Sequence, residues 1–467
     1  VPWVLSARSA EALRGQAAAL AERVGGATEF SSVDVGWSLV TTRSVFERRA
    51  VVVGADRAEL VAAVEALAGG VSHSGVVESG GAALVGDVGP VLVFPGQGSQ
   101  WVGMGGELLE VSPVFAARVG ECERALAPYV EWSLTDVLRG AVGAADLGRV
   151  DVVQPVLWAV MVSLAGVWAG YGVRPAAVVG HSQGEIAAAV VAGALSLEDG
   201  AKVVALRSKA LRRLAGGGAM ASLGVGRERV GELLSGLGDR AAGVGVAAVN
   251  GSLSTVVSGP PEQVAVVVGV CQEVGERARL IEVDYASHGP QVEEIRGELN
   301  EVLAGVRPVV GGADEVGFYS TVTGGRVEAS VLDTGYWVSN VRERVRFADA
   351  VEALLADGHR VFIEVSSHPV LTLGLQETFE QVGVDAVAVP TLRRDHGGLA
   401  QLLQSLGQAF VAGVGVDWRA AFPADPTPRT VDLPTYAFQH QRYWLDGLSG
   451  GRGADPTDLG LVAAGHP

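Results

Sequence analysis

Apolar positions along the chain follow two periods, and the switches between them outline its organisation. Short apolar runs predict strands at Val91-Leu92-Val93-Phe94, Val178-Val179-Gly180, Val316–Val322 and Val361–Val365. Apolar residues at three- and four-residue spacing predict helices over Ala10–Val24, Val114–Leu126, Gln154–Trp168, Leu371–Glu380 and Leu399–Ala412. Ser196-Leu197-Glu198-Asp199 supplies an N-cap hydroxyl and first-turn acids for a helix reaching about Leu214.

Residues 1–88 form a first unit, with strands at Val1–Ser6 and Arg48–Gly54, each followed by a helix. It carries no group of reactive side chains, which points to a structural role. From Ala219 to about Asp284 strands and helices alternate. The strands fall at Ala219–Val225, Gly243–Asn250 with Thr255–Ser258, and Arg279–Val283, and the helices at Glu228–Leu237 and Pro261–Glu276. This order predicts a ferredoxin-like subdomain, residues 218–284, inserted into a larger domain made of residues 89–217 and 285–395. A cleft between the two is the expected ligand site. Residues 396–445 hold a helix and then an aromatic, Pro-interrupted stretch, Leu433–Trp444. That stretch has no core of its own and is predicted to wrap across another surface. Residues 446–467 are predicted to be disordered.

The chemistry gathers at Gly180-His181-Ser182-Gln183-Gly184, a Gly-x-Ser-x-Gly sequence between a strand and a helix. In that setting it is a nucleophile elbow, and the large domain is predicted to be α/β-hydrolase-like with a parallel sheet. The glycines let strand and helix pack closely, and free N–H groups at the helix start favour developing negative charge. Ser182 is therefore the candidate nucleophile. Gln97, in the loop Pro95–Gln100 after another strand, can meet it in space. That Gly-rich loop has neither Gly-Lys-Ser/Thr nor Gly-x-Gly-x-x-Gly, so a phosphate cradle is weakly supported. His288, just after the inserted unit, is the first candidate base, and His368 in Ser366-Ser367-His368-Pro369 is the alternative. Arg207 falls mid-helix beside Val203-Val204-Ala205-Leu206. Such an Arg either snorkels to the surface or, if buried, needs an anion.

Composition narrows the functional classes. A formal net charge of −17 argues against nucleic-acid binding. Cys122 and Cys271 offer neither a disulfide framework nor metal spacing and fit a reducing, cytoplasmic setting. The sequence reads as lacking an uncharged apolar run of membrane-spanning length, so no membrane association is expected. It begins at Val1-Pro2-Trp3 without Met and reads as a piece of a longer polypeptide.

Three motifs taken together carry a family resemblance: Phe94-Pro95-Gly96-Gln97-Gly98-Ser99-Gln100, Gly180-His181-Ser182-Gln183-Gly184-Glu185 and Tyr285-Ala286-Ser287-His288. In this order and spacing the chain resembles the acyltransferase domain of a modular type I polyketide synthase, similar to malonyl-CoA:acyl carrier protein transacylases. The resemblance implies that residues 1–88 are a ketosynthase-to-acyltransferase linker and residues 396–445 a post-acyltransferase linker. It also implies a ping-pong Ser-His dyad of Ser182 and His288, and an oxyanion hole from the backbone N–H groups of Gln97 and Gln183. Arg207 would hold the substrate carboxylate. A backbone carbonyl, placed at Arg346, would orient the imidazole. Tyr285, Ser287 and Gln183, with Arg149–Pro155, resemble the methylmalonyl-selective pattern. The implied substrate is methylmalonyl-CoA, with ethylmalonyl- or malonyl-CoA as alternatives. The implied partners are an acyl carrier protein bearing phosphopantetheine and the ketosynthase of the same polypeptide, with antibiotic biosynthesis the setting. No cofactor or metal is implied for the domain itself. Two other classes stay open on the residues alone: a serine hydrolase or thioesterase on the same elbow, and a non-catalytic docking scaffold. An acidic carrier protein would need a basic patch, for which Arg212, Arg213, Arg342 and Arg344 are candidates.

Overall fold

The computed structural model describes residues 1–26, 30–81, 84, 88–309 and 316–439. The predicted tail, and residues 440–445 of the segment before it, lie outside them.

A six-stranded sheet forms the centre of the molecule. Its order is Gly325–Val327, Gly317–Ser320, Ala177–Gly180, Val91–Phe94, Val361–Glu364 and Val387–Pro390. The last five run parallel, and their apolar side chains are buried by helices on both faces. The expected all-parallel sheet needs one correction, because Gly325–Val327 pairs antiparallel with Gly317–Ser320. A tight turn at Gly324 (φ 84°), whose N–H donates to Ser320 O at 2.9 Å, sends the chain straight back. A parallel neighbour would instead need a long crossover.

The helix Val150–Gly170 runs through the main core. The sequence reading of no membrane-length apolar stretch fails here. This helix is long and apolar enough to cross a membrane, yet 89% of its apolar window is buried inside the protein. A helix enclosed on all sides by protein is apolar all round for the same reason a membrane span is.

The inserted unit is built on strands Ala219–Leu223, Gly245–Gly251, Ser254–Gly259 and Ala278–Leu280, with helices Arg227–Leu237 and Pro261–Glu273. These four strands pair antiparallel, with Ala219–Leu223 between Ser254–Gly259 and Ala278–Leu280. A fifth strand, Val345–Arg346, joins in parallel from the large domain. The inserted sheet is therefore not closed within residues 218–284.

Residues 1–81 carry the antiparallel sheet Pro2–Ala7, Arg48–Val53, Val76–Glu78, with Trp3, Leu13 and Leu60 fully enclosed. The C-terminal segment lies across this unit. Arg49 Nη1 donates to Phe410 O at 2.8 Å, and Arg43 Nη2 to Leu433 O at 2.9 Å. The Tyr436 hydroxyl accepts from Arg8 N at 3.1 Å, and Leu433 is buried in the unit's own core.

Candidate active site

Strand Ala177–Gly180 ends in a three-residue turn, and the helix Gly184–Val191 begins at once. Both flanking glycines are required by space. A Cβ on Gly180 would lie 2.2 Å from Glu185 N, and one on Gly184 would lie 2.1 Å from Phe94 O. Ser182 adopts φ 54°, a left-handed conformation that is rare outside glycine and unfavourable unless its surroundings enforce it. They do so through Glu185, which is fully buried inside the elbow helix. Its carboxylate accepts from the Thr321 N–H, the Thr321 hydroxyl, the Tyr336 hydroxyl and Asn340 Nδ2. Asn340 Nδ2 also donates to Ser182 O at 3.2 Å. Burial pushes the Glu185 carboxyl up, while these four donors pull it down.

Ser182, His288 and Arg207 converge. Ser182 Oγ lies 2.7 Å from His288 Nε2, and Arg207 Nη2 donates to the same Oγ at 3.0 Å. His288 Nδ1 lies 2.9 Å from Glu343 O. A carbonyl can only accept, so Nδ1 carries the proton and Nε2 presents its lone pair to the hydroxyl. The orienting carbonyl belongs to Glu343, not to Arg346 as expected. The Arg346 N–H donates to Thr321 O, and the residue is tied into the short strand beside Gly245–Gly251. His288 also has φ 57°, and its N–H donates to Val341 O at 2.9 Å. The imidazole is thus clamped from both sides by the end of the helix Thr334–Arg342 and the turn after it.

Arg207 is 1% exposed, and among the described residues its Nε and Nη1 have no partner. Burial lowers its pKa to about 10. His288 is driven down to about 3, first by burial and then by the Arg207 charge. His181, which bonds Asn250 Oδ1 at 2.8 Å, is lowered to about 4 by burial. Both imidazoles are therefore neutral when folded, whereas in the unfolded chain they bind protons below about pH 6.5. Their contribution to stability is intact above that pH and is lost as pH falls toward about 4 for His181 and about 3 for His288, on the order of 1.4 kcal/mol per unit of pKa difference. We expect the thermal midpoint to drop across this window, and His288→Gln to flatten the drop. Calorimetry at stepped pH measures both.

The Tyr285 hydroxyl, which burial raises to about 12, donates to Gln97 Oε1 at 3.2 Å and accepts from Gln154 Nε2 at 3.4 Å. Ser287 Oγ faces Met220 Sδ at 3.5 Å. The Gln183 side-chain amide is buried, with neither end partnered among the described residues. Among the described residues, the backbone N–H groups of Gln97 and Gln183 have no acceptor. All of these line one cleft of 960 Å³ between the large domain and the inserted unit. The alternative base, His368, also lines the cleft, but its Nδ1 accepts from Arg394 N at 3.2 Å, and it is His288 that bonds Ser182. Of the arginines considered for docking, Arg212, Arg213 and Arg342 are ion-paired with Asp151, Glu298 and Glu293. Arg344 is crowded by the charges of Arg227 and Arg346.

Asn340, Tyr336, Thr321 and Glu343 were not identified from sequence. Glu185 stood in the quoted motif, and a carboxylate on an otherwise apolar helix start was its signal.

A serine hydroxyl bonded to a neutral, oriented imidazole, beside unspent N–H donors and a buried cation, can be acylated by an activated acyl group that ends in an anion. The chain belongs to the acyl transferase domain family, which it matches over residues 91–416. Residues 3–64 match a second family, described as CurL-like, PKS C-terminal. Over its whole length the chain is 51% identical to part of polyketide synthase GfsE of Streptomyces halstedii, and it spans 12% of that protein. It is 54% identical to the acyltransferase domain from module 8 of the salinomycin polyketide synthase, with a TM-score of 0.86 over 91% of this chain and 98% of that one. The acyltransferase domain of SpnD, solved in complex with 2-(pent-4-yn-1-yl)malonyl, matches at 28% identity and a TM-score of 0.76, covering 91% and 97%. The chain is thus an acyltransferase domain of the polyketide synthase type.

Proposed function

We propose that this domain loads a carboxylated acyl group from an acyl-CoA onto Ser182 and passes it to the phosphopantetheine thiol of an acyl carrier protein. The observation that carries the reading is Arg207, a buried guanidinium with Nε and Nη1 unpartnered and Nη2 on the Ser182 hydroxyl. A buried cation with free donors calls for an anion, and a planar carboxylate satisfies two parallel N–H groups. His288 takes the proton of the Ser182 hydroxyl as Oγ attacks the thioester carbonyl, and the CoA thiolate then leaves with that proton. The second half reverses this, with the carrier thiol attacking the acyl ester. The backbone N–H groups of Gln97 and Gln183 receive the oxyanion in both halves.

The carboxylate has a second effect. The Arg207 charge depresses His288, and a bound carboxylate cancels that charge. Carboxylated substrates therefore make the base stronger as they bind, whereas an acetyl group leaves it weakened. Methylmalonyl is the extender favoured by this reading. What supports it is the small Ser287 and Tyr285, the latter held by Gln97 and Gln154, lining the same cleft as Ser182 and Arg207. One methyl discriminates by only about 1–3 kcal/mol.

Intact-protein mass spectrometry after exposure to equal malonyl-, methylmalonyl-, ethylmalonyl- and acetyl-CoA tests the proposal. The expected product is a lasting methylmalonyl ester. A malonyl or ethylmalonyl adduct would overturn the extender assignment, and thioester consumption with free acid and no adduct would indicate a hydrolase.

A further inference from the structure

The nucleophile and its base are 106 positions apart in the chain, and both have left-handed backbone conformations, Ser182 at φ 54° and His288 at φ 57°. Such conformations are unfavourable for residues with a Cβ and persist where neighbouring structure holds them. One short stretch, Asn340 to Glu343, holds both. Asn340 Nδ2 donates to Ser182 O at 3.2 Å, Val341 O accepts from the His288 N–H at 2.9 Å, and Glu343 O accepts from His288 Nδ1 at 2.9 Å.

This stretch ends the helix Thr334–Arg342. The chain turns extended at Glu343 (ψ 154°), so carbonyls of the last turn lack helical partners and can accept from His288. That end of a helix also favours positive charge, which suits an imidazole that becomes a cation when it takes the Ser182 proton. The helix itself is firmly seated. Asp333 caps its start by accepting from Tyr336 N at 3.0 Å, and the Thr334 hydroxyl donates to Leu303 O at 2.8 Å. Trp337 is buried in the main core, and Val338 and Val341 in a second cluster with Tyr285.

Within this stretch Asn340 is the side chain that reaches the nucleophile. It is 2% exposed, and its Nδ2 also donates to Glu185 Oε2 at 2.7 Å. Among the described residues its Oδ1 has no partner. Turning the amide over would set Oδ1 against a carboxylate and a carbonyl, so the two acceptors fix its orientation. A buried oxygen without a donor is unfavourable, so packing alone does not account for an amide here.

We propose that Asn340 is a positioning residue for acyl transfer. By tying the Ser182 carbonyl to the turn that carries both His288 acceptors, it sets the distance between hydroxyl and imidazole. It acts through the Ser182 backbone and is not among the residues that line the cleft, so its loss should spare binding. The reaction it serves is the acyl transfer proposed above.

The test is single-turnover acylation of Ser182 by methylmalonyl-CoA in the wild type, Asn340→Ala and Tyr336→Phe. Tyr336 is the matched comparison, because its hydroxyl donates to the same Glu185 Oε2, at 2.7 Å, and also bonds Ser320 rather than Ser182. For Asn340→Ala the maximal acylation rate is expected to fall roughly 10–100-fold, with the half-saturating substrate concentration unchanged, as for a nucleophile and base moved out of line. Labelling of Ser182 by a neutral alkyl fluorophosphonate should slow by the same factor. There Oγ bonds phosphorus, fluoride leaves and His288 takes the proton, so the step needs the dyad without Arg207. Tyr336→Phe is expected to lower the thermal midpoint as Asn340→Ala does, with a clearly smaller loss in both rates. Equal rate losses in the two variants, or a raised half-saturating concentration with the maximal rate kept, overturn the positioning role. So does failure of both Asn340→Ala and the similarly shaped Asn340→Leu to fold. A wild type that reacts with the fluorophosphonate but with no acyl-CoA overturns the acyl-transfer reading instead, and the probe rates then decide the role of Asn340 by themselves.

Discussion

Ser182→Ala is expected to leave no acyl-enzyme detectable by intact mass and to reduce acyl transfer by at least on the order of a thousandfold. The substitution removes the atom that bonds both His288 Nε2 and Arg207 Nη2. Cβ, the helix start and the Glu185 network stay in place, so the fold should persist. A variant that still accumulates acyl groups at wild-type rate would transfer the nucleophile's role to another residue.

The second large effect is expected at Arg207. Arg207→Ala should reduce acylation by carboxylated donors roughly 10²–10³-fold, on the order of 3–4 kcal/mol for the loss of a buried, bidentate charge partner. Acylation by acetyl- or propionyl-CoA should hold steady or rise, for two reasons. No unpaired cation is left buried, and His288 is freed from the charge that depresses it. The measurement is the ratio of kcat/KM for methylmalonyl- and propionyl-CoA in both proteins. A ratio equal to that of the wild type would remove Arg207 from substrate selection.

The positions of Ser182, His288 and Arg207 were legible because each carries its own sequence signal. Ser182 lies between two glycines that abut backbone, His288 follows the returning strand, and Arg207 interrupts an apolar helix. The carbonyl that orients His288 had no such signal. A backbone oxygen looks the same at Glu343 and at Arg346, and only the tertiary path of the turn after Arg342 selects it. Asn340 and Tyr336 were hidden for a related reason. They act on Ser182 and Glu185 from more than 150 positions away along the chain. In the fold, apolar runs marked the central strands well. The two-residue strand Val345–Arg346 is too short to show a period, and the antiparallel edge Gly325–Val327 is set by a turn rather than by apolar pattern.

One feature of the connectivity has a mechanical consequence. The inserted unit leaves the large domain at Leu214–Gly218 and returns at Asp284–His288, and the two crossings touch. The Gly216 N–H donates to Asp284 O at 2.7 Å, and a Cβ on Gly218 would lie 2.2 Å from Ala286 N. Ser182 is rooted in the central sheet, while His288 sits at the end of the returning strap. His288 is nevertheless held by Val341 O and Glu343 O, outside the insertion, so its imidazole is seated beside Ser182 by the large domain itself. The chain reaches its proton acceptor by way of the insertion, yet acceptor and nucleophile are anchored to one body.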